Sequence, residues 1–226
     1  MCKPSASRWW LRAWNRLKGM FAKAASSTRP AHARLVAECH SWLVGQLAKH
    51  PELSTERRAD YANAAAVVFQ RMTATALVRL RQNTRVIRFY ASLEEMTAEL
   101  ARTYPSVRKL LAQGQVVGGG YVRQRRELHL DGGIEREGTE SIVGRYAHEF
   151  THAINGPQRQ LSGSQPWIDA WNREIVQRRL SPLALQNAHE GFAEFGRIVY
   201  TGTYSRDQLK KTYALCVEVW KGTGLW

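Results

Sequence analysis

Apolar positions recur at helical spacing over residues 32–49, at Leu35, Val36, Cys39, Trp42, Leu43 and Leu47, and Pro51 ends that segment. Ser54 or Thr55 is placed to cap a second helix running to about Arg81, whose Ala-rich middle, Ala62 to Ala66, favours the helical state. The run from Arg85 to Tyr90 reads as a strand. Ser92 and Glu95 form a capping-box pattern that opens a helix to about Thr103, and 106–113 reads as another short one. Gly118, Gly119 and Gly120 break the chain. Residues 121–130 alternate as a strand, with Tyr121, Arg123 and Arg125 on one side and Val122, Gln124 and Arg126 on the other. Charge on both faces marks it as an edge strand, and Asp131, Gly132 and Gly133 turn the chain away.

A helix follows over 139–154, with Thr139 as its cap, Glu140 favouring its start, and Asn155, Gly156 and Pro157 stopping it. Further helices are predicted over 166–179, from Pro182 or Leu183 to about Tyr200, and from Ser205 to about Lys221. The pattern implies an α+β fold, mostly helical, with a small mixed or antiparallel sheet.

Composition adds a core and a strong charge. Apolar residues are 44% of the 226, with eight Trp and eight Tyr, enough to bury a globular interior. The net charge of +14 suits polyanions, anionic membrane surfaces or acidic substrates, or simply a basic soluble protein. No aromatic and basic nucleic-acid signature accompanies it, so no specific nucleic acid is expected. Three distant cysteines make a disulfide scaffold unlike this chain. No apolar run is long enough to span a bilayer, and residues 1–30 lack the apolar centre of a signal peptide. The cytoplasm is the favoured location, with export by another route left open. Within 1–30, Trp10, Trp14, Leu17 and Phe21 share a helical stripe ringed by Arg8, Arg12, Arg16, Lys18 and Lys23. That leader is either a helix for an anionic surface, a helix docking on the domain, or partly disordered chain. Residues 31–226 are then a single domain.

The helix over 139–154 holds His148, Glu149, Phe150, Thr151 and His152, an H-E-x-x-H motif. Residues four apart share a helix face, so both imidazoles can meet one cation. Glu149 lies about 100 degrees around from His148, placed to flank a metal and move protons rather than ligate. Ile142, Val143, Tyr146, Ala147 and Phe150 give the helix an apolar side to bury. Catalytic zinc asks for a third protein ligand and an open position. No histidine follows at short interval, since residues 155 and 158 are Asn and Gln, so another helix must supply it. Glu190 and Glu194 share a face of the later helix, whose Phe192, Phe195, Ile198 and Val199 lie largely elsewhere. Either one carboxylate binds metal while the other holds a ligand histidine, or both are solvated. His189 points off their shared face and is read as an ordinary neighbour.

HEFTHAINGP at 148–157 and EGFAEFGRIVY at 190–200 resemble the active-site helices of the anthrax toxin lethal factor catalytic domain and its bacterial relatives, zinc peptidases of the gluzincin-like type. The resemblance is specific over 148–200 and loose over 85–226. It implies a zincin-like metallopeptidase domain with an edge strand beside the H-E-x-x-H helix. It also implies one zinc per chain on His148, His152 and Glu190, with Glu149 as catalytic base and Glu194 behind a ligand histidine. One departure stands out: where the family often has an oxyanion-binding tyrosine seven residues before the ligand glutamate, this chain has Leu183. Tyr146, Tyr200 and Tyr204 are candidate replacements. The expected partner is a protein or peptide substrate, with Tyr121, Arg123 and Arg125 of the edge strand as candidate contacts. Two alternatives remain: an inactive zinc protein with the same site, and a basic nucleic-acid or membrane-surface binder in which the motif is accidental.

Overall fold

The computed structural model describes residues 30–112, 119–131 and 139–226. The leader stripe, Cys2, Gly118, and the Gly132 and Gly133 turn lie outside them, as do the side chains of Thr139 and Glu140. The described chain runs α1 (Pro30–Leu47), α2 (Thr55–Arg71), α3 (Ala74–Asn83), β1 (Val86–Tyr90), α4 (Leu93–Thr103), α5 (Pro105–Ala112), β2 (Gly119–Val122), β3 (Glu127–Asp131), α6 (Thr139–Asn155), α7 (Gln165–Ala170), a π-helix (Trp171–Val176), α8 (Ala188–Thr201), α9 (Arg206–Thr212) and α10 (Ala214–Gly222). It is an α+β arrangement, mostly helical, with a three-stranded mixed sheet. No helix among the described residues is long and apolar enough to cross a membrane.

The sheet order is β1-β3-β2. β1 runs parallel to β3, pairing Val86 with Glu127 and Tyr90 with Asp131. β2 runs antiparallel to β3, pairing Gly119 with Leu130 and Val122 with Glu127. The single strand expected over 121–130 is therefore a hairpin, with Arg123, Gln124, Arg125 and Arg126 as its connection. Four polar residues in a row leave neither face anything to bury, so they turn rather than pair. Arg126 takes the left-handed region at φ 56° and its guanidinium donates to Gln82 O, 2.5 Å away. Among the described residues β2 is an edge strand, and it packs against α6.

Other boundaries moved for local reasons. The helix expected from Ser54 to Arg81 divides at Met72 and Thr73, because Thr73 caps a new helix by accepting from Ala76 N at 3.2 Å. The segment 166–179 ends its α-helix at Ala170 and widens into the π-helix. The helix expected from Pro182 or Leu183 begins only at Ala188, because the Asn187 side chain accepts from His189 N and Glu190 N. The last predicted helix divides at Tyr213, which has no side-chain cap to offer. Glu174 does that work from the π-helix, its buried carboxylate accepting from Leu215 N and Cys216 N at 3.0 Å each.

The centre of the core is α6. Ile142, Tyr146, Ala147, Phe150, Ala153 and Ile154 are fully buried, with Phe150 stacked on Phe69 at 5.4 Å. Against the opposite side lies α8, in very close approach. A Cβ added to Gly196 would stand 2.1 Å from Thr151 Oγ1 and 2.7 Å from Thr151 Cβ. Thr151 is fully buried and donates to Ala147 O at 2.6 Å, so it has little room to yield. Gly196→Ala should therefore lose about 2 kcal/mol despite alanine's better helix propensity. That corresponds to a melting temperature lower by roughly 4–8 °C, read by calorimetry.

Beyond the sheet, Tyr90, Met96 and Leu100 form a smaller cluster around the buried His129, whose Nδ1 meets the Tyr90 hydroxyl at 2.8 Å. Burial lowers the His129 pKa to about 4, assisted by Arg88 and opposed by Glu127. The folded chain thus binds fewer protons here than the unfolded chain, whose histidine titrates near 6.5. Stability from this group is complete above about pH 6.5 and lost as pH falls toward 4. Unfolding free energies from urea titrations should fall through that window, by up to about 2 kcal/mol at pH 4.5, and the slope should shrink in His129→Gln.

Candidate metal centre

One turn apart on α6, His148 and His152 face Glu190 from the first turn of α8. His148 Nε2 lies 3.0 Å from His152 Nε2 and 3.3 Å from Glu190 Oε2. His152 Nε2 lies 3.4 Å from the same oxygen. The three atoms make a nearly equilateral triangle. An ion with tetrahedral ligands at about 2.0–2.1 Å needs edges of about 3.3–3.4 Å between them, so this triangle fits one face of such a site. His148, His152 and Glu190 together could hold a metal ion. Two imidazoles and a carboxylate match the donors zinc prefers.

The orientation of His148 is set from behind. Its Nδ1 meets Glu194 Oε1 at 2.9 Å, which leaves Nε2 for the triangle. Glu194 is buried and fully engaged. Ser181 Oγ donates to it at 2.8 Å, and Arg197 donates through Nε and Nη2 at 2.9 and 3.0 Å. Burial alone would raise the Glu194 carboxyl, but His148, Arg197 and Ser181 outweigh it and lower its pKa to about 2. Glu190 is lowered as well, where bonds and charge from His148 and His152 overcome burial. His148 moves the other way: burial opposes its charge, yet hydrogen bonds to Glu190 and Glu194 and the charge of Glu149 raise it. Without a cation, a proton on His148 offsets part of the acidic charge. A dication would displace that proton.

Glu149 does not point into the triangle. It is buried on the side facing β2, where a Cβ on Gly119 would sit 2.6 Å from Glu149 Oε1. Only a glycine lets the strand backbone come so near. Glu149 Oε2 has no hydrogen-bond partner among the described residues. Burial raises its pKa, against the pull of His148 and His152. A buried carboxylate whose charge is disfavoured in this way is suited to accept a proton.

The remaining candidates are distributed around this centre. Tyr121 donates its hydroxyl to Asn83 O at 2.6 Å, tying β2 to α3. Arg125 lies over the Tyr104 ring at 5.5 Å, beside the smaller cluster. Arg123 is half-buried in the hairpin connection. His189 stays outside the triangle and meets Ser162 Oγ at 2.5 Å. Tyr146 and Tyr200 are fully buried in the core, Tyr200 donating to Leu225 O. Tyr204 and Leu183 are partly exposed.

Sequence reasoning did not find Ser181, Arg197 or Gly119. Arg197 had a signal, since it lies three residues after Glu194 on one helix. Ser181 and Gly119 had none, because they reach the site through loop and strand placement. Glu194→Ala should weaken zinc binding by about 10–100-fold while the fold survives, as competition against a chromogenic chelator would read.

Compared with models of protein families, with curated proteins and with solved structures, the chain matches none. Its chemistry is read from its own residues.

Proposed function

We propose that the chain is a zinc-dependent peptidase with a zincin-like domain of the gluzincin type, akin to the lethal factor catalytic domain. The observation that supports this best is the His148, His152 and Glu190 triangle with the buried Glu149 carboxylate beside it. Zinc there would supply Lewis acidity, polarising the scissile carbonyl and making water acidic enough to ionise near neutral pH. Glu149 takes the proton of the attacking water and returns it to the leaving amine. Glu194, at 2.9 Å from His148 Nδ1, would hold His148 in the tautomer that leaves Nε2 free to ligate zinc. The edge of β2, unpaired among the described residues, offers main-chain groups to an extended peptide, and Gly119 lies against Glu149.

The test is zinc content per chain together with cleavage of a mixed peptide pool, followed by mass spectrometry. About one zinc, with cleavage lost to a chelator and regained with zinc, supports the reading. No zinc uptake at all would sink it. One observation favours a second reading, a zinc protein without turnover: Leu183 stands where lethal-factor-like peptidases often have the oxyanion tyrosine, and two of the three candidate replacements, Tyr146 and Tyr200, are locked in the core. In that case zinc is bound and no peptide is cut.

A further inference from the structure

Glu194 is 5% exposed, and each of its carboxylate oxygens makes two contacts. Oε1 meets His148 Nδ1 at 2.9 Å and accepts from Arg197 Nε at 2.9 Å. Oε2 accepts from Arg197 Nη2 at 3.0 Å and from Ser181 Oγ at 2.8 Å. The guanidinium fork thus spans both oxygens and fixes the plane of the carboxylate. Turning that plane would break all of these contacts at once. Neither Arg197 nor Ser181 belongs to the triangle that could hold a metal.

Both partners are themselves held. Arg197 lies three residues after Glu194 on α8, and its stem runs beside α6. A Cβ on Gly144, one turn before His148, would stand 3.7 Å from Arg197 Cδ. Arg197 therefore reaches from one ligand-bearing helix to the other. Ser181 sits in the segment between the π-helix and α8. Its hydroxyl oxygen accepts from Ala184 N at 3.1 Å, which leaves the hydroxyl proton for Glu194. Leu185 N donates to Ser181 O at 3.2 Å, and Trp171 Nε1 donates to Ala184 O at 2.9 Å, tying this turn to the π-helix. A Cβ on Gly191 would stand 2.3 Å from Trp171 Cδ1, so α8 presses directly on that tie.

A ligand imidazole must have its ring held as well as its outer nitrogen freed, and a carboxylate behind it can do this only as firmly as it is held itself. We infer that Arg197 and Ser181 are positioning residues of the metal centre, which lock the Glu194 carboxylate and through it the His148 ring, and so set how tightly zinc is held. This rests on the reading of the triangle as a zinc site. The expected sign opposes simple electrostatics. Removing a cation from the neighbourhood of a dication should tighten binding, whereas removing a positioning residue should loosen it.

Zinc affinity is measured by competition with a chromogenic chelator for the wild type, Arg197→Gln, Arg197→Lys and Ser181→Ala, each also combined with Glu194→Ala. Arg197→Gln should weaken zinc binding about tenfold and Ser181→Ala about threefold. Arg197→Lys keeps the charge and loses the fork, so it should recover only part of the loss. With Glu194→Ala already present, neither substitution should cost more than about twofold further, because the group through which it acts is gone. Cobalt(II) bound in place of zinc should show an altered visible spectrum in Arg197→Gln, since a turned imidazole changes the ligand field. The parental spectrum should persist in Arg102→Gln, which removes an exposed cation of α4. Affinity unchanged or raised in Arg197→Gln, or a loss of the same size with and without Glu194, overturns the positioning role. Where Arg197→Gln fails to fold, Ser181→Ala decides by the same criterion. A wild type that binds zinc no better than these variants loses the positioning role and keeps the zinc reading; a wild type that takes up no zinc loses both.

Discussion

Glu149→Gln is expected to abolish peptide hydrolysis, by at least about a thousandfold in kcat, while the chain still binds one zinc. Glutamine keeps the shape that packs beneath Gly119, so β2 and α6 need not move. It removes the proton acceptor and nothing else, because Glu149 lies outside the ligand triangle. Burial already disfavours the Glu149 charge, so the variant should fold at least as stably as the parent. Initial rates on the best peptide, beside zinc content measured on the same preparation, decide the matter. Hydrolysis that continues at the parental rate would place the base elsewhere.

The second large effect concerns the metal. In Glu190→Ala two imidazoles remain, too few for a tight zinc site, and the carboxylate that counters the ion's charge is gone. Zinc affinity should fall by more than the roughly 10–100-fold that loss of a carboxylate behind a ligand produces. After dialysis against a weak chelator the variant should be essentially free of zinc, while its far-ultraviolet dichroism is unchanged. The secondary structure has reason to survive: Glu190 is partly exposed in the first turn of α8, whose cap at Asn187 remains intact. A variant retaining stoichiometric zinc at parental affinity would mean that some other group completes the site.

What was legible in the sequence follows from range. The pairing of His148 with His152 is a four-residue helical relation, and the shared face of Glu190 and Glu194 is another, so local periodicity locates both. The apolar side of α6 was legible for the same reason, and Phe150 and Tyr146 do lie in the core. The hairpin was not. Its connection is four polar residues without a glycine or proline, and Arg126 supplies the left-handed turn that glycine usually provides. Nor was the late start of α8, where Pro182 or Leu183 reads as a helix start and the cap at Asn187 decides instead. Glu174 reaches a helix terminus some forty residues away. Contacts of that kind are settled by tertiary packing and leave no periodic trace.

The glycine contact between α6 and α8 has a thermodynamic consequence. The candidate ligands lie on two helices pressed together through the centre of the core, so they have no common geometry once the core opens. An ion held there binds the native ensemble and has little to grip in the unfolded one. Free zinc at one hundred times its dissociation constant would then raise the unfolding free energy by about 2.7 kcal/mol. The abundance of this chain would follow the zinc supply through mass action, before any question of turnover arises.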